Sequence, residues 1–388
     1  MSDWPNIALS ELMASRVGSV DPLKFPDEVF DLYSIPAFDR GPPDIAAGTS
    51  IGSSKQIVRP GDVLLSKIVP HIRRSWVVGN DRGRRLLASG EWIVFRSTRI
   101  DQAYLRHVLV GDPFHSQFMQ TVSGVGGSLL RARPVHVAKI TVPLPPLPEQ
   151  RRIAAILDQA DALRAKRREA LAQLDSLTQS IFIEMFGDLA VAHGKYPVKR
   201  LIDVIDSARP ITYGILMPGE NTADGVKYVR VVDMKKGGIE LSGIRSTTPE
   251  ISHNFRRSVL KPGDLLMSIR GHVGRLAMVP EALNGANITQ DTVRLAVTGA
   301  CSVYVREYLR SLSIQRWMAR HTKGVAVRGI NLGDLKAMPI SLPLQRHQEE
   351  FSRQANMIEK ITVAQRKSLA ELDTLFASLQ HRAFQGEL

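Results

Sequence analysis

With 388 residues the chain exceeds what one hydrophobic core organises, so two or three domains are expected. Hydrophobic residues at 44% suffice for packed cores, no apolar run approaches the ~18 residues that span a bilayer, and a single cysteine, Cys301, excludes an internal disulfide and a Cys-based zinc site. Lys and Arg total 51 against 38 Asp and Glu, and the net charge of +13 points to a polyanionic partner, with an inert basic surface as the bland alternative. The N-terminus, Met1 to Leu12, has no basic segment followed by an apolar one, so no secretory signal is read and a cytoplasmic location is expected.

In chain order, Ile7–Met13 reads as a short helix and residues 17–55, rich in Gly, Pro, Ser and Asp, as loops. Asp62–Ser66 and Trp92–Phe95 read as strands. Helices are predicted at Asp101–Val110 and Asp112–Val122, then a glycine-rich Gly124-Val125-Gly126-Gly127 and a strand at Lys139–Val142. A Pro-rich run, Pro143 to Pro148, opens a long helix over Leu147–Phe186, closed at Gly187-Asp188. Its residues Ile153, Ile156, Ala160, Leu163, Arg167, Ala170, Leu174, Leu177 and Ile181 recur at steps of three and four, the spacing of a coiled-coil seam. At 1.5 Å per residue such a helix is about 60 Å long.

The chain then repeats itself. The shift that carries Pro145 onto Pro343 also carries Gln150 onto Gln348, Arg168 onto Arg366, Leu174-Asp175 onto Leu372-Asp373 and Phe186 onto Phe384. A second long helix is therefore expected over Leu344–Phe384, with seam residues Phe351, Gln354, Ile358, Ile361, Gln365, Ser368, Leu372, Leu375 and Leu379. Upstream, Pro60-Gly61-Asp62 matches Pro262-Gly263-Asp264, Tyr104 and Arg106 match Tyr304 and Arg306, and Gly124-Val125 matches Gly324-Val325. The predicted architecture is α+β: globular units at 1–142 and 189–341, each followed by a helix, at 143–188 and 342–388, with the helices antiparallel about a pseudo-twofold. In that register Arg167 and Gln365 meet mid-seam, where a polar pair lowers stability but fixes alignment.

No catalytic constellation emerges. Asp62 and Asp264 sit in ordinary Pro-Gly-Asp turns. Gly124–Gly127 lacks the Lys-Ser/Thr ending of a phosphate loop. Arg40-Gly41-Pro42-Pro43-Asp44 resembles a methyltransferase Asp/Asn-Pro-Pro-aromatic motif but has the wrong residues at both ends. No His-Glu-x-x-His pairing occurs. Aromatic residues at 6% argue against a single-strand stacking platform. The loop cations are more informative: Arg73, Arg74, Arg131 and Arg133 in the first unit and Arg256, Arg257, Arg270 and Arg328 in the second are candidate contacts for a nucleic-acid partner, and Lys235-Lys236 also lie in loop-like sequence.

The Pro-Leu-Pro-Pro-Leu-Pro-Glu-Gln-Arg-Arg-Ile run from Pro143, the closing Glu184-Met185-Phe186-Gly187-Asp188, the Gly-Asp-x-Leu-x-Ser turns and the final His381 to Leu388 resemble type I restriction-modification specificity subunits over the whole chain. The resemblance implies two target recognition domains reading a split duplex DNA target, with the helices setting the gap. Two methyltransferase subunits would dock, carry S-adenosylmethionine and methylate adenine at N6, and up to two nuclease-translocase subunits using ATP with Mg would join. This chain itself would hold no cofactor and catalyse nothing. A coiled-coil adaptor whose basic domains bind RNA or a protein is the competing reading, and salt-dependent duplex binding strengthened by one sequence separates the two.

Overall fold

The computed structural model describes residues 4–124, 130–187, 195–235, 237–324 and 328–388. Val125, Gly126, Gly127, Asp188, Lys236 and Val325, all used above, lie outside the described residues. The chain divides into two compact units: the first is Met1–Glu169 with Lys367–Leu388, the second Ala170–Arg366. The division cuts through both long helices, so it does not follow the four segments predicted from the sequence.

In the first unit, a three-stranded antiparallel sheet orders Ser75–Val77, Val63–Ser66 and Trp92–Phe95. The runs Val-Leu-Leu-Ser and Trp-Ile-Val-Phe carry apolar side chains on both faces, because successive residues of a strand point opposite ways. Val63, Leu65, Ile93 and Phe95 pack toward helices Gln102–Val110 and Asp112–Met119 and the start of the long helix at Ile153, Ala154 and Leu157. Leu64, Trp92 and Val94 pack the other way, against Tyr33, Phe38 and Trp76. Tyr33 belongs to a five-stranded sheet of Ser19–Val20, Lys55–Ile57, Leu86–Ala88, Val29–Tyr33 and Asp44–Ala47, whose Leu86 and Ala88 join the same cluster.

The second unit repeats the plan. Leu276–Met278, Leu265–Ser268 and Thr292–Leu295 form the sandwiched sheet. Leu265, Met267, Val293 and Leu295 face helices Ser302–Arg310 and Leu312–His321, while Leu266 faces Val229, Ala277 and Ile288. Its outer sheet has three strands, Arg245–Thr247, Val226–Val229 and Asn287–Ile288.

Two local expectations fail. Ile7–Met13 is a strand, Asn6–Ala8, paired antiparallel with Thr141–Pro143 and followed by a single 3-10 turn at Leu9–Glu11. Residues 17–55 hold parts of the five-stranded sheet and a helix, Ile35–Arg40, capped by Ser34. Strands of two to five residues give too few alternations to stand out against turn-rich composition.

The long helices span Leu147–Phe186 and Gln345–Gln385. Within the first unit their segments run antiparallel, since Arg152 reaches Leu388 and Arg164 reaches Asp373 at 2.7 Å. Within the second, Phe182 and Phe186 pack edge-to-face against Phe351 while Leu171 to Thr178 lie near Ile358 to Arg366.

The predicted seam positions are buried or half-buried except at four places, where the inward residue is the next one along. Ile153 and Ile358 are buried, and Ile156, Leu174 and Leu372 are half-buried. Leu163, Leu177, Ile361 and Leu375 are exposed, and the inward positions are Arg164, Thr178, Thr362 and Phe376. The inner line accepts Arg164 and Thr362 because both are satisfied locally: Arg164 lies 4.2 Å over the Phe376 ring, and the Thr362 hydroxyl donates to the Ile358 carbonyl. Arg167 falls in the first unit and Gln365 in the second.

Candidate nucleic-acid interface

The paired carboxylates are structural, as their turns suggest. Asp62 is buried, accepts from the Arg59 backbone and holds Arg96 through two bonds of 2.7 and 2.6 Å. Asp264 accepts from the Lys261 backbone and holds Arg209 in the same fashion at 2.8 and 2.6 Å. The aspartates match in sequence, whereas their arginines come from different parts of the repeat.

Each unit fixes its helix pair onto a long helix through matched groups. The Tyr104 hydroxyl donates to the Pro143 carbonyl and that of Tyr304 to Ser341, and burial pushes both phenols up from their ordinary pKa. Gln150, buried, accepts from Asp101 N and donates to Pro145 O; Gln348 accepts from Cys301 N and donates to Pro343 O. Arg106 reaches Asp158 and Asp161, and Arg306 reaches Glu307 and Glu359.

The loops carry the predicted cations unequally. In the first unit the loop after Val63–Ser66 pairs with the strand returning from the glycine-rich stretch: Ala132 N donates to Lys67 O, Val69 N to Leu130 O, and Ile68 faces Arg131 across an antiparallel bridge. The second unit repeats this, with Ile330 N to Ile269 O, Gly271 N to Arg328 O, and Arg270 facing Gly329. Both loops turn through a left-handed residue at the same place, Gly271 (φ 68°) and Val69 (φ 46°). A β-branched residue there costs about 1–3 kcal/mol, so the Val69 turn is held by its surroundings.

Arg131 and Arg133 therefore sit beside this loop, Arg131 on Glu91 at 3.2 Å and Arg133 on the Ser123 hydroxyl at 2.8 Å. Arg73 turns back onto Asp112 and the Val110 carbonyl. Arg74 is not available for DNA: only 8% exposed, it forms two 2.8 Å bonds to Asp39 and holds that carboxyl below its ordinary pKa. A charge of this kind is buried because its paired acid compensates the desolvation. In the second unit Arg270 and Arg328 share the loop pair, while Arg256 and Arg257 project from the separate turn Arg256–Ser258. Among the described residues Arg256, Arg257 and Arg328 have no side-chain partner. Sequence reasoning missed Glu91, Asp291, Gln290 and Tyr213 around these loops; single polar residues at strand starts carry no periodic signal.

Among the described residues no group of His, Cys, Asp and Glu could hold a metal ion, and no helix is long and apolar enough to cross a membrane.

Known proteins match this arrangement. A family model described as the type I restriction modification DNA specificity domain matches residues 107–173, from the buried His107 into the first long helix. The chain is 29% identical over 276 residues to the type I restriction enzyme EcoBI specificity subunit of Escherichia coli, covering 64% of this chain and 58% of that protein. Against the EcoKI specificity subunit of Escherichia coli (strain K12) it is 23% identical over 294 residues, covering 68% and 61%. The matched stretches thus span less than two thirds of either relative's length. A chain solved in work on complex assembly and conformational transition of the type I R-M system shares the fold, with a TM-score of 0.55 and 21% identity over 99% of this chain and 98% of that one. With the doubled globular unit and its long helices, these matches make the chain similar to type I restriction-modification specificity subunits.

Proposed function

We propose that this chain is the non-catalytic DNA-reading subunit of a type I restriction-modification complex, each globular unit recognising one half of a split duplex target. The observation that carries the reading is the loop pair repeated in both units, a hairpin loop hydrogen-bonded to a returning strand with exposed cations on the rung. A net charge of +13 suits the phosphate backbone that supplies most of such a protein's affinity.

Two methyltransferase subunits, carrying S-adenosylmethionine and methylating adenine at N6, dock along the helices, and up to two restriction subunits driven by ATP with Mg complete the assembly. Leu157, Phe182 and Phe186 take no part in such docking, because all three are buried within their own units. The exposed apolar residues Leu163, Leu177, Ile361 and Leu375 support docking instead, since they occupy matching positions of the two helices. The helices act as a spacer whose alignment rests in part on Arg167 and Gln365.

Modification-sensitive sequencing of DNA from cells co-expressing the chain with its methyltransferase subunit tests this. The expected result is one bipartite motif with a fixed gap. Methylation scattered without a motif, or none, overturns the proposal. Adding four residues near Leu177 lengthens a helix by ~6 Å, and at ~3.4 Å per base pair widens the gap by one or two pairs with both half-sites unchanged.

A further inference from the structure

We infer that each unit reads a guanine through one arginine held in place by a carboxylate, Arg131 by Glu91 and Arg270 by Asp291; this rests on the DNA-reading function proposed above. The two acids occupy the same structural place. Each is the residue before the last strand, an edge strand, of the sandwiched sheet, and each gives its backbone carbonyl to the start of the hairpin loop, Glu91 O to Lys67 N and Asp291 O to Ile269 N. The two arginines occupy the same rung from opposite sides. Ile68 faces Arg131 in one unit and Arg270 faces Gly329 in the other, so the cation has changed strand while its anchor has stayed.

A place on the rung combined with a carboxylate beside it separates these two from the other candidates, since Arg73 turns back onto Asp112 and Arg133 meets only the Ser123 hydroxyl. Arg131 meets Glu91 through Nε and Nη2 at 3.4 and 3.2 Å. Its backbone is pinned on both sides, by the Ile68 bridge and by pairing with Ser123. Arg270 has Asp291 at 3.9 Å, the Gln290 side-chain oxygen at 3.3 Å and the Tyr213 ring at 5.7 Å. Both side chains remain open, 55% and 40% exposed. Nη1 of Arg131, and Nε and Nη2 of Arg270, have no hydrogen-bond partner among the described residues.

A carboxylate beside an arginine is the wrong device for a phosphate. It cancels part of the attraction and is itself repelled by the backbone. It suits a base edge, where the guanidinium must arrive in one plane to meet guanine O6 and N7, and where orientation matters more than charge. Arg256, Arg257 and Arg328, bare and unconstrained, suit phosphates, which accept a cation from many directions. Glu91 and Asp291 are thus positioning residues, and Arg131 and Arg270 set specificity.

Methylation maps of the intact chain, co-expressed with its methyltransferase subunit, test the assignment with unaltered protein run alongside. Arg131→Ala and Glu91→Gln are expected to make one guanine of one half-site degenerate, losing roughly 10- to 100-fold discrimination there. Arg270→Ala and Asp291→Asn do the same in the other half-site. Arg131→Lys keeps the charge but not the fork, and loses the same guanine; Asp291→Glu restores an anchor and keeps it. Arg256→Ala with Arg257→Ala lowers methylation at every site alike. An unchanged motif in Glu91→Gln and Asp291→Asn overturns the inference, as does a uniform loss across all positions in complexes that still assemble. If the unaltered chain yields no motif, the DNA-reading function falls first.

Discussion

The joint between helix pair and long helix is nearly the same in both units, whereas the loop rung is not. Tyr104 and Tyr304, and Gln150 and Gln348, do the same tasks with the same atoms, while Arg106 and Arg306 both reach an acid of a long helix. At the rung, Leu130 stands where Arg328 does, Ile68 where Arg270 does, and Arg131 where Gly329 does. A duplicated protein keeps what seats each copy on the helix and varies what each copy presents. Even the joint has exceptions: Phe182 corresponds to Gln380, and His107 to Glu307.

These exceptions supply the strongest tests. Phe182 is 1% exposed and touches the rings of Phe186, Tyr304 and Phe351, so Phe182→Ala is expected to cost the second unit about 3–5 kcal/mol. Gln380 donates one 3.2 Å bond to the His107 carbonyl, and Gln380→Ala costs the first unit only about 1 kcal/mol. Denaturant unfolding followed by hydrogen exchange assigns each loss to its unit, and equal losses would erase the distinction. The shared groups give the opposite expectation. Gln150→Ala and Gln348→Ala each leave buried backbone groups unpaired, at about 2 kcal/mol apiece; a clear inequality would mean the joints are not equivalent.

The smallest effect is pH-dependent and confined to the first unit. Burial, with the Arg106 charge adding to it, lowers the His107 pKa, although Asp158 at 2.7 Å opposes this. Below the ordinary imidazole value of ~6.5 the unfolded chain takes up a proton that the folded one resists. Stability of the first unit is therefore whole above that value and declines as pH falls beneath it. Exchange rates of the Gln102–Val110 amides should rise on acidification, and His107→Gln should flatten that slope. A slope unaffected by the substitution would assign it to another group.

Much of this plan was legible in the sequence because it is written twice. Pro145 and Pro343, Gln150 and Gln348, and the Pro-Gly-Asp turns are single residues whose meaning is obscure until the second copy repeats them. The long helices declare themselves by an unbroken run without Pro or Gly. The seam departs from its periodicity at four places because Leu163, Leu177, Ile361 and Leu375 are apolar at the right spacing, while the inner line there uses Arg164, Thr178, Thr362 and Phe376. Hydropathy reports a side chain's solubility, and a long stem lying over Phe376 buries just as well. Arg74 was misjudged for the converse reason: nothing in the sequence links it to Asp39.

The second unit is one unbroken stretch, Ala170–Arg366, while the first needs two pieces separated by all of the second. Ala383 is wholly buried in the core of the first unit, and Gln380 and Phe384 reach back to helix Gln102–Val110. During synthesis the second unit consequently has every residue it requires before the first does. The segment Met1–Glu169 waits with the seat for Ala383 open and apolar surface uncovered. Closing it joins residues more than two hundred positions apart, the kind of contact that chain entropy makes slow. A chaperone that shields exposed apolar surface has its natural client in that half-built first unit.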